Sequence, residues 1–197
     1  KLPRGITIFN LEIMLKYIFK IFKKIKEKIM AIGLGLGIHH QHEMHLHIGM
    51  DHQGGMIFYL DGNGGGLITS MDNLTNAIWG CRGTATNATD TAIGTGAQNT
   101  IDIQAVCPLA GSANTQCYDL SLNGYNDWFL PSKDELIQMH VAVGQNANNE
   151  AGFDDVTYWS SSESGKNTAW STYFNTGAST SLTDKLATHR VRAIRSF

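Results

Sequence analysis

The first regular pattern in the chain is a stripe of apolar residues near its beginning. These residues are separated by four and three positions in turn, which is the spacing of one helix face. Lysines fill much of the opposite face. The pattern therefore predicts an amphipathic helix within residues 1–31. The predicted oligomerisation stripe consists of Leu11, Leu15, Ile18, Phe22, Ile25 and Ile29.

Three interpretations of this helix remain open. A narrow apolar stripe of this regularity favours a self-associating stem, either a trimer or a helical filament. The same stripe could pack on the chain's own domain. The lysines opposite it are also typical of a helix that lies on a membrane surface, so membrane contact is a third possibility. Charged residues at Glu12, Lys16 and Lys20 make a membrane span a poor description of the segment.

The next segment, residues 32–53, is rich in glycine and histidine and connects the helix to the rest of the chain. Glycine alternates with aliphatic residues over 32–38, which predicts a strand. Four histidines then occur as two i, i+2 pairs, which point the same way in a strand. In a threefold assembly one such pair would supply six imidazoles, enough for a transition metal. The alternative is a polar strand or linker. The candidate metal ligands are His40, His42, His45 and His47.

From residue 54 onwards the pattern changes to short strands, turns and a few helices. A hairpin is predicted with strands 55–60 and 67–69 around a glycine-rich turn. Helices are predicted over 97–106 and 133–143, the second begun by a capping box of Ser132 and Glu135. Further strands are predicted at 128–130, 158–163, 168–174 and 189–197, the last with Arg190, Arg192 and Arg195 on its rim. The fold class is α+β.

The distribution of charge and the cysteine content limit the partners and the disulfides that the chain can have. Residues 1–30 hold eight Lys or Arg and two Glu, whereas residues 31–197 hold seven Lys or Arg and 15 Asp or Glu. This acidic balance argues against nucleic acid as a partner of the main domain. Of the three cysteines, Cys107 and Cys117 are close enough in sequence to form a disulfide. The alternative is three unpaired buried thiols, Cys81 among them.

Several short motifs in residues 50–197 occur together and in order. They are Gly54-Gly55-Met-Ile-Phe-Tyr, Trp79-Gly80-Cys81, Asn99-Thr-Ile-Asp102, Asp127-Trp-Phe-Leu-Pro-Ser132 with Glu135-Leu136, Tyr158-Trp-Ser-Ser161 and Val191-Arg-Ala-Ile-Arg195. In these motifs the chain resembles the C-terminal domain family of collagen-like (Lcl) adhesins. The resemblance implies a C-type lectin-like fold, which is also that of formylglycine-generating enzymes. The predicted domains are therefore residues 1–31, 32–53 and 54–197.

The resemblance implies an extracellular or cell-surface adhesion module of a bacterium or phage, which recognises glycans or other cell-surface ligands. It implies no catalytic residues, and the sequence has no GxSxG motif, so we expect a binding protein rather than an enzyme. The loops around the last strands are the expected ligand face. The candidate ligand residues are Glu163, Lys166, Asn167, Trp170, Tyr173, Asn175 and Lys185. The alternatives are a subunit of an extracellular filament and a metal-dependent enzyme that uses the histidines.

Overall fold

The computed structural model of this chain describes residues 18–25 and 45–197. It divides the chain into two compact units, with the boundary between Met44 and His45. In the first unit residues 18–25 are helical and exposed to solvent, including Ile18, Phe22 and Ile25 of the predicted stripe. The remaining three members of the stripe, Leu11, Leu15 and Ile29, lie outside the described residues. Within those residues no helix is both long and apolar enough to cross a bilayer.

The second unit combines an antiparallel sheet and a mixed, mostly antiparallel sheet with three α-helices. The strands are β1 (Asp51–His52), β2 (Gly55–Leu60), β3 (Gly66–Thr69), β4 (Leu74–Ile78), β5 (Thr157–Gly165), β6 (Thr168–Tyr173), β7 (Ala178–Asp184), β8 (Thr188–Val191) and β9 (Ile194–Ser196). The helices are α1 (Gly96–Val106), α2 (Ala113–Tyr118) and α3 (Lys133–Ala142), and a short 3₁₀ helix spans Gln145–Ala147. This mixture confirms the α+β class.

Each sheet has its own strand order. The four-stranded sheet has the order β1-β2-β3-β9 and contains the predicted hairpin, in which Met56 of β2 pairs with Thr69 of β3. The five-stranded sheet has the order β4-β8-β5-β6-β7. Its pairs are antiparallel except for β5 and β8, which are parallel and paired at Tyr158 and Arg190. The central β5 therefore lies next to β8, although the β6–β7 hairpin separates the two strands in sequence.

The structure of the last nine residues differs from the predicted single strand. Residues 189–197 were expected to form a single strand with alternating buried and rim positions. Instead β8 belongs to the five-stranded sheet and β9 to the four-stranded sheet, with Arg192 and Ala193 between them. Both of these residues are fully buried. The alternation fails because the chain crosses from one sheet to the other at this point, where side chains on both sides face the interior.

The predicted helix α3 begins with the predicted cap. The Ser132 hydroxyl accepts a hydrogen bond from the Glu135 backbone N–H, and the Glu135 carboxylate accepts one from the Ser132 N–H at 2.7 Å. The other carboxylate oxygen accepts from Gly94 N at 2.8 Å, which ties the loop before α1 to α3. Glu135 is buried, and the loss of solvation raises the pKa of its carboxyl despite these bonds. The capping box thus also holds two distant segments together.

Tryptophan residues fill the centre of the core. Trp128 and Trp159 are buried, as the sequence predicts, and Trp79 joins them. The buried indole N–H groups of Trp79 and Trp159 donate to the carbonyls of Ser160 and Ala77, at 2.8 and 2.9 Å. These two bonds join β5 to the segment around β4. Since a buried donor without a partner would destabilise the fold, these bonds also favour one relative position of the two elements.

Candidate functional site

The predicted ligand residues do not form one site. They are distributed over the two ends of the β5–β6 hairpin, its middle and the following turn. We call the end at the β5–β6 turn the closed end, and the end where Tyr173 of β6 pairs with Thr157 of β5 the open end. The two ends differ in burial and charge.

At the closed end Glu163 and Lys185 form a buried ion pair, which corrects their prediction as ligand residues. Lys185 is 0% exposed and Glu163 is 4% exposed. The Lys185 ammonium donates to the Glu163 carboxylate and to the carbonyl of Thr84 at 3.1 Å, and it lies 4.3 Å from the centre of the Trp79 ring. Both carboxylate oxygens also accept from the backbone N–H of Thr86. The two charges thus satisfy each other and hold the loop that follows Cys81.

The β5–β6 turn places Lys166 and Asn167 on the surface beside this pair. Both residues are exposed, and their backbone carbonyls accept hydrogen bonds from Gly83 N and Lys185 N, each at 2.9 Å. Their side chains are therefore available to solvent while their backbone is fixed. The closed end thus presents one surface lysine, Lys166, beside a buried ion pair.

The two aromatic residues predicted for the ligand face lie on opposite faces of β6. Trp170 is half-buried beneath α3, where the Lys133 ammonium lies 5.0 Å from the centre of its ring. Tyr173 is 42% exposed and lies at the far end of the strand. Asn175 is exposed in the turn that follows. Because side chains alternate along a strand, Trp170 and Tyr173 cannot contact the same small ligand.

A cleft lies at the open end and crosses four neighbouring strands of the five-stranded sheet. We call it the Tyr173 cleft. Its volume is about 380 Å³, within the range of small-molecule sites. Tyr173 supplies an aromatic ring at its edge, and most of the other side chains carry hydroxyl, amide, imidazole or charged groups. It is lined by Asn76, Asp155, Val156, Thr157, Tyr173, Thr188, His189 and Arg190.

The charges of the Tyr173 cleft are largely paired within the protein. Arg190 Nη2 donates to Asp154 Oδ2 at 2.6 Å, and the Asn73 amide donates to the same oxygen at 3.1 Å. The Asp155 carboxylate accepts a hydrogen bond from the amide of Gln145. His189 packs edge-on against Trp159, with ring centres 4.8 Å apart, and burial lowers its pKa below the usual value. The imidazole is thus neutral at physiological pH.

Sequence reasoning identified Tyr173 but missed most of its neighbours in the cleft. Asn76 lies in β4, and His189 lies in β8, which pairs with both β4 and β5. Their proximity follows from the strand order, which no local pattern reveals. Thr157 could have been proposed from the sequence, because it immediately precedes the aromatic Tyr158-Trp159 pair.

Two of the three C-terminal arginines, Arg192 and Arg195, act inside the protein, contrary to their predicted rim position. Arg192 is 0% exposed, and its guanidinium donates to the carbonyls of Ser70 and Ala151 at 2.7 and 2.9 Å. Burial lowers the pKa of Arg192 to about 10. Arg195 pairs with Asp127 and lies over the Tyr125 ring at 3.9 Å. Arg190 is the one of the three that lines the Tyr173 cleft.

The disulfide also differs from the prediction. Cys107 pairs with Cys81, whereas Cys117 is a free, buried thiol. Sequence proximity favoured Cys117 as the partner, but Cys117 lies in α2 and points into the core. Burial raises the pKa of the Cys117 thiol far above its usual range, so it is a poor nucleophile. The bridge instead connects the end of α1 to the start of the loop that covers the closed end.

The histidine cluster is described only in part. His45 and His47 are exposed and lie outside regular structure, and His47 Nδ1 is 3.0 Å from the carbonyl of Ile48. His40 and His42 lie outside the described residues. In residues 18–25 and 45–197 no group of three or more His, Cys, Asp or Glu side chains is placed to hold a metal ion. Metal binding by the four histidines stays a prediction.

These features define an α+β domain with two small sheets, an internal disulfide and an open surface cleft. The chain belongs to the Lcl C-terminal domain family, whose model matches residues 68–195. No curated protein matches the chain. Among solved structures, the fold is similar to that of a fimbrial protein from Bacteroides ovatus, with 14% identity and a TM-score of 0.47. The similarity covers 66% of this chain and 35% of that protein.

Proposed function

We propose that this protein is an extracellular binding module for adhesion, displayed at the surface of a bacterium or phage. The observation that carries the proposal is the Tyr173 cleft, which presents an exposed aromatic ring among polar groups. Aromatic residues at binding sites combine apolar area with few rotatable bonds. Membership of the Lcl C-terminal domain family supports the proposal. A C-type lectin-like fold, as implied by the sequence resemblance, belongs to the same proposal.

The disulfide supports the extracellular location. Disulfides form and persist in oxidising compartments and are rare where thiols are kept reduced. The Cys81–Cys107 bridge constrains the loop over the closed end. A surface protein outside the cell would keep this constraint, while Cys117 stays protected in the core.

We further propose that the N-terminal helix is a self-associating stem that displays several copies of the domain. Its support is the exposure of Ile18, Phe22 and Ile25 in the helical segment 18–25. Multiple copies would strengthen weak binding to a surface without any new contact. A filament core is the alternative use of the same stripe, and membrane contact is another.

Two measurements on the full chain test this function. Binding to intact cells should be saturable and should be lost on Tyr173→Ala, because the ring is proposed to contact the ligand. Light scattering should give an oligomer that the double variant Ile18→Lys/Phe22→Lys converts to a monomer. Fibres in negative-stain micrographs would favour the filament. Saturable cell binding that is unchanged by Tyr173→Ala would exclude the Tyr173 cleft as the binding site.

A further inference from the structure

The groups that line the Tyr173 cleft also define the chemistry of its ligand. Tyr173 and Val156 are both more than 40% exposed, at 42% and 41%, and they provide an apolar surface at the cleft. Hydroxyl groups of Thr157 and Thr188 and the amide of Asn76 surround that surface. A ligand that matches this arrangement has one apolar face and a rim of hydroxyl groups. Sugar rings have this construction.

The charges of the cleft distinguish between charged and uncharged sugars. The positive charge of Arg190 is already balanced by Asp154, with 2.6 Å between the two groups. Asp155 adds a carboxylate, and His189 is uncharged. A sulfate or carboxylate group on a ligand would thus face a carboxylate, and the charge of the one lining cation, Arg190, is already balanced by Asp154. Such a ligand would lose its hydration without a compensating ion pair. The Arg190 Nε–H, which has no hydrogen-bond partner among the described residues, can donate to an uncharged hydroxyl group.

We infer that the Tyr173 cleft binds an uncharged sugar residue, with the apolar face of the ring against Tyr173 and its hydroxyl groups bonded to polar side chains of the cleft. Asp155 is the strongest acceptor available, because hydrogen bonds to a charged carboxylate are stronger than those to neutral groups. Asn76 can both donate and accept. This inference rests on the proposed function and specifies the class of ligand.

The experiment is an array of neutral, N-acetylated, sialylated and sulfated glycans probed with the full chain, followed by calorimetric titration of the best ligand. Neutral sugars should bind, and Tyr173→Ala should weaken binding by about tenfold or more. Tyr173→Phe keeps the ring and should retain most of the affinity. Asp155→Asn should also weaken binding. Tyr118→Ala is the matched control, because it removes a similarly exposed tyrosine, 46% exposed at the end of α2, that does not line the cleft, and it should change nothing.

Salt provides an independent test. Binding of an uncharged sugar should be nearly the same at about 0.05 M and about 0.5 M salt, since no ion pair is screened. A preference for sulfated or sialylated glycans that falls with salt or is lost in Lys166→Ala would overturn the inference. An array without any bound glycan would overturn it as well. In both cases cell binding that still depends on Tyr173 would leave the proposed function intact, whereas failure of cell binding would count against that function itself.

Discussion

The two ends of the β5–β6 hairpin contain similar charged groups and use them in opposite ways. At the closed end Glu163 and Lys185 are buried and neutralise each other beneath a long loop. At the open end Arg190 and Asp154 are also paired, but they stay partly exposed beside the Tyr173 cleft. The same pairing therefore stabilises the fold at one end and removes free charge from a surface site at the other.

The difference arises from what covers each end. The loop after Cys81 passes over the closed end, where Thr84 and Thr86 contribute backbone groups to the ion pair. Within residues 45–197 no comparable loop covers the Tyr173 cleft, which opens to solvent across four strands. Stability should thus depend on the closed end and ligand binding on the open end. The following predictions test this division.

The largest effect is expected from Lys185→Met. The substitution keeps much of the side-chain volume but leaves the Glu163 carboxylate buried without its cation, which should lower the free energy of unfolding by about 3–5 kcal/mol. Lys166→Met, in the neighbouring exposed turn, should change it by less than about 0.5 kcal/mol. Urea denaturation of both variants measures the difference. A Lys185→Met protein as stable as the Lys166→Met protein would show that the closed end does not stabilise the fold.

How far the sequence predicts this arrangement differs between the two ends. Local patterns correctly predicted the β2–β3 hairpin, the strands β5 and β6, helix α1 and the cap of α3, because each depends on neighbouring residues. Burial of Glu163 and Lys185 depends instead on partners such as Thr84, about one hundred positions from Lys185 in sequence. A charged residue in a polar stretch normally predicts exposure, so the closed end was assigned to the surface.

At the open end, too, local patterns predicted single residues but not their contacts. Tyr173 was a candidate because exposed aromatic residues are frequent at binding sites. Its partners in the cleft come from β4, β5 and β8, and the pairing of β8 with both β4 and β5 brings them together. The disulfide pairing also depends on the fold rather than on sequence proximity, since Cys81 and not the nearby Cys117 is the partner of Cys107. Local sequence patterns therefore could not predict which distant residues the strand order brings into contact.

A smaller effect is expected from breaking the disulfide that anchors the loop over the closed end. The bridge joins residues separated by 26 positions, and Cys81→Ser should lower the free energy of unfolding by about 2–4 kcal/mol by releasing the unfolded chain. Cys117→Ser should cost about 1 kcal/mol, the lower range for a polar group in the core. Guanidinium denaturation gives both values, and peptide mapping without reduction identifies the bridge. A Cys107–Cys117 peptide would contradict the structure.

The smallest effect concerns the open end and its dependence on pH. Burial lowers the pKa of His189 in the folded protein, while the unfolded chain has the ordinary value of about 6.5. The unfolded state therefore binds a proton more readily as the pH falls below that value. His189 should thus reduce stability progressively as the pH falls from about 6.5 towards the lower pKa of the folded state.

His189→Gln isolates this contribution, because glutamine keeps hydrogen-bonding capacity but cannot take up the proton. The stability difference between the wild-type protein and His189→Gln should change across this pH window, whereas the difference for Thr188→Ala, which removes an exposed neighbour without a titratable group, should stay nearly constant. Thermal unfolding between about pH 5 and about pH 8 measures both differences, and the opposite trend expected from Glu135 cancels in each comparison. A constant His189→Gln difference would mean that His189 is as well solvated in the folded protein as in the unfolded chain, and the part of the Tyr173 cleft that His189 lines would then be open to water.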